Sequence, residues 1–124
     1  MPRALMLVFS QPTAAGVEAE YNRWYSEKHL PDRTRVPGIV SATRYKLDKS
    51  ILPIPGITGD PRSYLAVYEV EGNTSEDLAR FAQELRKALD TGVADIHPTL
   101  DMVNISASFA VPITDRLVPR PRDA

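Results

Sequence analysis

Ser63-Tyr64-Leu65-Ala66-Val67-Tyr68-Glu69-Val70-Glu71, with the segment Thr74 to Gly92 behind it, decides the fold of this chain. In the first stretch Tyr64, Ala66, Tyr68 and Val70 alternate with Leu65, Val67 and Glu69, the period of two that puts one set of side chains on each face of a strand. After Gly72 the period changes. Thr74 or Ser75 is the N-cap and Asp77 lies in the first turn. Leu78, Phe81, Leu85 and Leu89 then recur at three and four residues, and Gly92 is placed to end the helix.

Working outward, residues 48–62 carry Pro53, Pro55, Pro61, Gly56 and Gly59, which no regular element tolerates, so a long loop precedes this strand. Its apolar residues Ile51, Leu52, Ile54 and Ile57 require a dry surface. The loop either closes over a pocket as a lid or clamps a partner subunit. Residues 39–47 alternate apolar and polar and form a strand, and residues 3–10 are a short apolar run suited to a strand buried on both faces. Between them, Ala14, Val17, Tyr21, Trp24, Tyr25 and Lys28 share one face of a helix that runs to about Leu30, where Pro31 disfavours its continuation. Residues 31–38 are then a structured loop. Residues 100–111 read as a last strand, with Met102, Asn104, Ser106 and Ser108 opposite Val103, Ile105, Ala107 and Phe109.

The order β-α-β-β-α-β is that of an α+β, ferredoxin-like domain: an antiparallel four-stranded sheet with two helices on one face. The domain spans 1–111, followed by an extended or disordered Pro/Arg-rich tail over 112–124. Apolar residues on the second sheet face call for a cover, and we expect a homodimer with the sheets face to face.

Composition narrows the function. The chain has 124 residues, a formal net charge of −1 and no cysteine. There is no clustered positive field for nucleic acid or an anionic membrane, and no thiolate nucleophile or Cys-ligated metal. The opening apolar run is too short for a signal-peptide core and nothing approaches a membrane span, so cytoplasmic residence is the expectation.

Chemistry concentrates in residues 21–45, which hold four of the nine aromatic residues and one of the two histidines. Tyr21-Asn22-Arg23-Trp24-Tyr25, then His29, Pro31, the Val36-Pro37-Gly38 turn and Tyr45, resemble the EthD-like proteins of the dimeric α/β barrel superfamily. The element order matches over the whole chain, and the specific motif occupies residues 21–45. Relatives in that superfamily include cofactor-free isomerases, cyclases, lyases and quinone-forming monooxygenases, and haem-binding members. The resemblance implies that His29 lies in a cleft between helix and sheet, with Trp24, Tyr25, Tyr45 and Tyr68 lining an aromatic pocket.

The residues alone support a compatible reading. Tyr21, Tyr25 and His29 are four apart and form a row, with His29 at the helix C-terminus, whose partial negative charge favours the imidazolium. His29 is the candidate general acid or base toward a carbonyl compound. The plain alternative is that His29 caps the last carbonyls and that the aromatic face, Tyr21 and Trp24 included, is core. His97 is either a structural loop histidine, a second acid or base across the pocket, or, as the resemblance to haem-binding members of the superfamily implies, a haem ligand. Asn104 is a candidate hydrogen-bond donor to substrate. Asp32 and Arg35 are candidates to hold the loop behind His29, against the reading of an ordinary surface pair. A metal site from His29, Asp32 and His97 has generic spacing, and we expect no metal and no cofactor.

The expected function is therefore a small cofactor-independent enzyme, of isomerase, cyclase, dehydratase or lyase type, acting on a cyclic or aromatic carbonyl compound. The alternatives are a cofactor-free or haem-dependent monooxygenase of the same superfamily, and a non-catalytic small-ligand-binding protein.

Overall fold

A computed structural model describes residues 1–91 and 96–121. The strands are β1 (Ala4–Ser10), β2 (Ile39–Lys46), β3 (Tyr64–Val70) and β4 (Ser106–Ala110). They form one antiparallel sheet in the order β2-β3-β1-β4. The helical segments α1 (Glu18–Trp24) and α2 (Leu30–Arg33) follow β1, and α3 (Ser75–Asp90) follows β3. This is the ferredoxin-like arrangement. Among the described residues, no helix is long and apolar enough to cross a membrane.

Register assigns the faces. Val8 pairs with Ala66 and Met6 with Tyr68, while Leu5, Leu7 and Phe9 pair with Glu69, Val67 and Leu65. Tyr64, Ala66, Tyr68 and Val70 are all buried, together with Ala4 and Met6 of β1 and Tyr21, Trp24, Tyr25, Leu78 and Phe81 of the helical layer. The core thus lies on one side of the sheet. The other side holds Leu5, Leu7, Phe9, Leu65 and Val67, each only half-buried.

Helix α3 begins as its sequence dictates. Thr74 caps it by accepting from the Asp77 N–H at 3.1 Å, and the Asp77 carboxylate accepts from the N–H groups of Thr74 at 3.1 Å and Asn73 at 2.9 Å. Gly72, at φ +88°, turns the chain into this cap, and a Cβ there would collide with the Asp77 carboxylate. The buried stripe runs through Leu78, Phe81, Leu85 and Ala88, whereas Leu89 is 44% exposed. The expected terminal Gly92 lies outside the described residues. At the helix end the Thr91 hydroxyl donates to the Lys87 carbonyl at 3.0 Å.

Two boundaries differ from expectation. The first helix does not stop before Pro31: a π-helical turn spans Tyr25–His29, closed by Leu30 N–H donating to the Tyr25 carbonyl, and α2 continues with Pro31 in its first turn. The wide turn relieves the clash a proline makes with the carbonyl four residues back, so the kink takes the place of a helix end. The last strand is shorter than residues 100–111. Asp101 folds the chain over 101–104 by accepting from Val103 N–H (3.0 Å), Asn104 N–H (3.2 Å) and the Asn104 amide (2.7 Å), which leaves pairing to 106–110. Leu100 makes an isolated bridge to Pro12.

Candidate functional site

The helical run through the π turn positions the aromatic side chains. In a straight α-helix, residues five apart point about 140° apart at about 100° per residue. The π turn realigns them, so that the His29 ring lies 4.8 Å from the Trp24 indole and 4.8 Å from the Tyr25 ring. His97, from the far end of the chain, stacks on the same indole at 5.1 Å. Its Nδ1 accepts from Thr99 N–H at 3.3 Å and contacts the Thr99 hydroxyl at 2.7 Å, so neutral His97 carries its proton on Nε2, which points toward the Glu20 carboxylate 4.0 Å away. The chain's only two histidines therefore meet on one tryptophan, and both are half-buried.

The tyrosines behave differently. Tyr21 and Tyr25 are 5.7 Å apart along the helix, as the spacing predicts, but they are fully buried, and the Tyr21 hydroxyl shares a 2.5 Å hydrogen bond with Ser10. The Tyr25 and Tyr68 phenols are hydrogen-bonded to each other. Burial pushes the Tyr21, Tyr25 and Tyr68 phenols up from their ordinary range, most strongly for Tyr25. They remain neutral at physiological pH and cannot act as bases. Their rings fill the space between helix and sheet, so in the single chain Tyr21, Tyr25 and Tyr68 are core.

Tyr45 pairs with Leu65, is 51% exposed, and stands on the opposite face of the sheet from Tyr25 and Tyr68. Asn104 is exposed in the Asp101 turn and donates to Asp101, away from the histidines. Asp32 and Arg35 form an ion pair at 3.7 Å with the arginine side chain 77% exposed. Because α2 extends to Arg33, His29 lies inside the helical run, so the helix-dipole argument made for it applies instead to the residues after α2.

Arg44 is the residue that sequence reasoning missed. Paired with Ala66 on the helix side of the sheet, its guanidinium carbon lies 4.2 Å from the Tyr25 ring centre, 5.0 Å from Tyr64 and 5.4 Å from Tyr21. Nη1 donates to the Ser26 hydroxyl at 2.9 Å and Nη2 to Asn22 Oδ1 at 3.1 Å. The signal was present in the alternation of β2, where Ala42, Arg44 and Lys46 share a face. An arginine on an edge strand, with a lysine two residues on along the same face, reads as solvated until the tyrosines beneath it are known.

Comparison with solved structures agrees with the fold. The crystal structure of HapK from Hahella chejuensis superposes with a TM-score of 0.52 at 7% identity, covering 94% of this chain and 99% of that one. The likeness shows a shared fold. An ethyl tert-butyl ether D (EthD) family protein from Bacillus halodurans C-125 is also similar. It has 13% identity, coverage of 87% and 97% and a TM-score of 0.45, a score too low to bear on function. No protein-family model matches the chain, and no curated protein matches it.

Proposed function

We propose that this protein is a small, cofactor-independent enzyme that moves a proton on a cyclic or aromatic carbonyl compound, with His29 as general acid or base and His97 as its partner. The observation that carries the reading is the convergence of both histidines on Trp24. Imidazole is the side chain whose proton moves near neutral pH, and the buried indole holds the two rings in place. With the tyrosines held neutral by burial, the histidines are the proton-transfer groups of this region. One imidazole takes the proton from the carbon beside the carbonyl while the other donates to the carbonyl oxygen. The enol so formed takes a proton back from the first imidazole at a different carbon while its O–H proton returns to the second, which restores the carbonyl and both histidines and completes an isomerisation. The working form we propose is a cytoplasmic homodimer joined through the bare sheet face.

The ligand-binding reading without catalysis draws on the dense packing of Tyr25 and Tyr68, which leaves the reactive groups only at the rim.

NMR titration of the two imidazole signals with small cyclic ketones, lactones and phenols tests both readings. The enzyme reading expects one compound class to shift both ring signals, and His29→Ala to slow turnover of that compound by about 10²–10⁴. If the compound binds and His29→Ala leaves its conversion rate unchanged, the acid–base role is overturned. If both imidazoles ignore every compound, the site itself is wrong.

A further inference from the structure

We propose that the groove beside Arg44 binds a small organic carboxylate. The groove lies at the sheet edge formed by β2, has a volume of about 560 Å³, and is lined by Ala15, Gly16, Ala19, Asn22, Arg44 and Lys46, with Glu18, Ser26 and Tyr64 at its margin. That volume suits a small molecule.

Charge is the first argument. Arg44 and Lys46 pair with Ala66 and Tyr64 and so stand on the same face of the edge strand. Among the described residues neither forms an ion pair, and the buried Arg44 Nε has no acceptor. Half-buried cations in proteins are ordinarily matched by a carboxylate. The one carboxylate of the groove, Glu18, accepts the Tyr64 hydroxyl, and Tyr64 in turn accepts the Asn22 amide at 2.9 Å. The lining holds two cations and one carboxylate, with Lys46 also acting on the Asp48 carboxylate beyond it.

Geometry is the second argument. The guanidinium is fixed over three tyrosine rings and by its bonds to Ser26 and Asn22, so its orientation is set before a ligand arrives. Each Nη nitrogen carries a second N–H beyond the bond to Ser26 or Asn22, and a carboxylate oxygen can accept a charge-assisted hydrogen bond from one of them. Lys46 adds a flexible point charge at the mouth. Ala15, Gly16 and Ala19 present little side chain, and the space beside Gly16 is open, so this side of the groove does not obstruct a ring.

A monoanion suits the site better than a phosphate. Glu18, at the margin of the groove, repels a dianion more strongly than a monoanion. The groove is separate from the histidines, with the Tyr25 ring between them, touching Arg44 on one side and His29 on the other. The proposal therefore stands without the acid–base reading.

The test is binding of benzoate, benzamide and inorganic phosphate to the full chain, followed by NMR with the Arg44 Nε–H signal as reporter and the histidine rings as internal control. Benzoate is expected to bind and benzamide, its neutral isostere, to fail. Arg44→Gln is expected to raise the benzoate Kd at least about tenfold, the loss typical of a hydrogen bond to a charged group. Lys46→Gln, an exposed change that leaves the core intact, is expected to raise it about threefold to tenfold. Equal binding of benzamide, tighter binding of phosphate, or an unchanged Kd in Lys46→Gln would each overturn the proposal, the last even if Arg44→Gln fails to fold.

Discussion

The two faces of β3 come from one alternating stretch and have opposite fates. Tyr64, Ala66, Tyr68 and Val70 are 1–6% exposed beneath the helices, while Leu65, Val67 and Glu69 remain half-open on the bare face. Helix cover converts a strand of mixed aromatic and aliphatic residues into a rigid wall, and the side chains able to meet a ligand are displaced to its rim: the histidines at the π turn and Arg44 at the β2 edge. The bare face keeps ordinary apolar residues that the described part of the single chain covers only in part. Loop 48–62 does not supply that cover for its own apolar residues either, since Ile51, Leu52, Ile54 and Ile57 are 55–67% exposed.

The covered face is where a substitution costs most. Tyr25→Ala removes a fully buried ring and is expected to lower the unfolding free energy by about 3–5 kcal/mol, a large share of the ~5–15 kcal/mol a domain possesses. Tyr25→Phe, which loses only the bond to Tyr68, is expected to cost about 1 kcal/mol. Urea unfolding of the pair separates ring from hydroxyl. Equal losses in both variants would mean that the hydrogen bond, and not packing, makes this face rigid.

The bare face is tested by association. Val67→Glu places a charge at its centre, opposite Leu7, and is expected to change monomer stability by no more than ~0.5 kcal/mol while dispersing the proposed homodimer. Sedimentation at matched concentrations reads the mass directly. A parent chain that sediments as a monomer would remove the need for a cover and leave the two faces different in composition alone.

The covered face was legible in the sequence because period carries it. The alternation in β3, the Thr74–Asp77 cap and the 78–81–85 stripe each follow from local rules that no tertiary contact opposes. What local rules do not carry is the behaviour of Pro31, whose clash is relieved by a π turn that depends on packing Trp24 and Tyr25 into the core. Tyr45 was misplaced for a related reason: its aromatic character points to a pocket, but the β2 register sends it to the other face. The meeting of His29 with His97 and the stacking of Arg44 on three tyrosines are contacts between distant parts of the chain. Without the fold, Arg44 looks like an ordinary surface side chain, and the meeting of the two histidines is one of several readings open for His97.

The smallest expected effect probes how loop 48–62 grips the bare face. Arg62 donates from Nε and Nη2 to the two Asp60 oxygens at 2.8 and 2.6 Å, and its guanidinium lies 5.2 Å from the centre of Phe9, a bare-face residue of β1. The Arg62 hydrogen bonds hold the Asp60 carboxyl down at about 2, below its ordinary 3.8. A carboxyl whose folded pKa is depressed contributes stability that is complete above its unfolded value and is lost as the pH falls through the folded one. Asp60→Asn is therefore expected to cost at most about 1 kcal/mol at pH 7, since solvent screens the pair, and progressively less from pH 4 toward pH 2. Urea midpoints of parent and variant at pH 7, 4 and 3 measure the difference. A gap that stays constant down to pH 3, where an unfolded carboxyl of ordinary pKa is already mostly protonated, or one that widens on acidification, would show that Asp60 does not anchor Arg62 over Phe9.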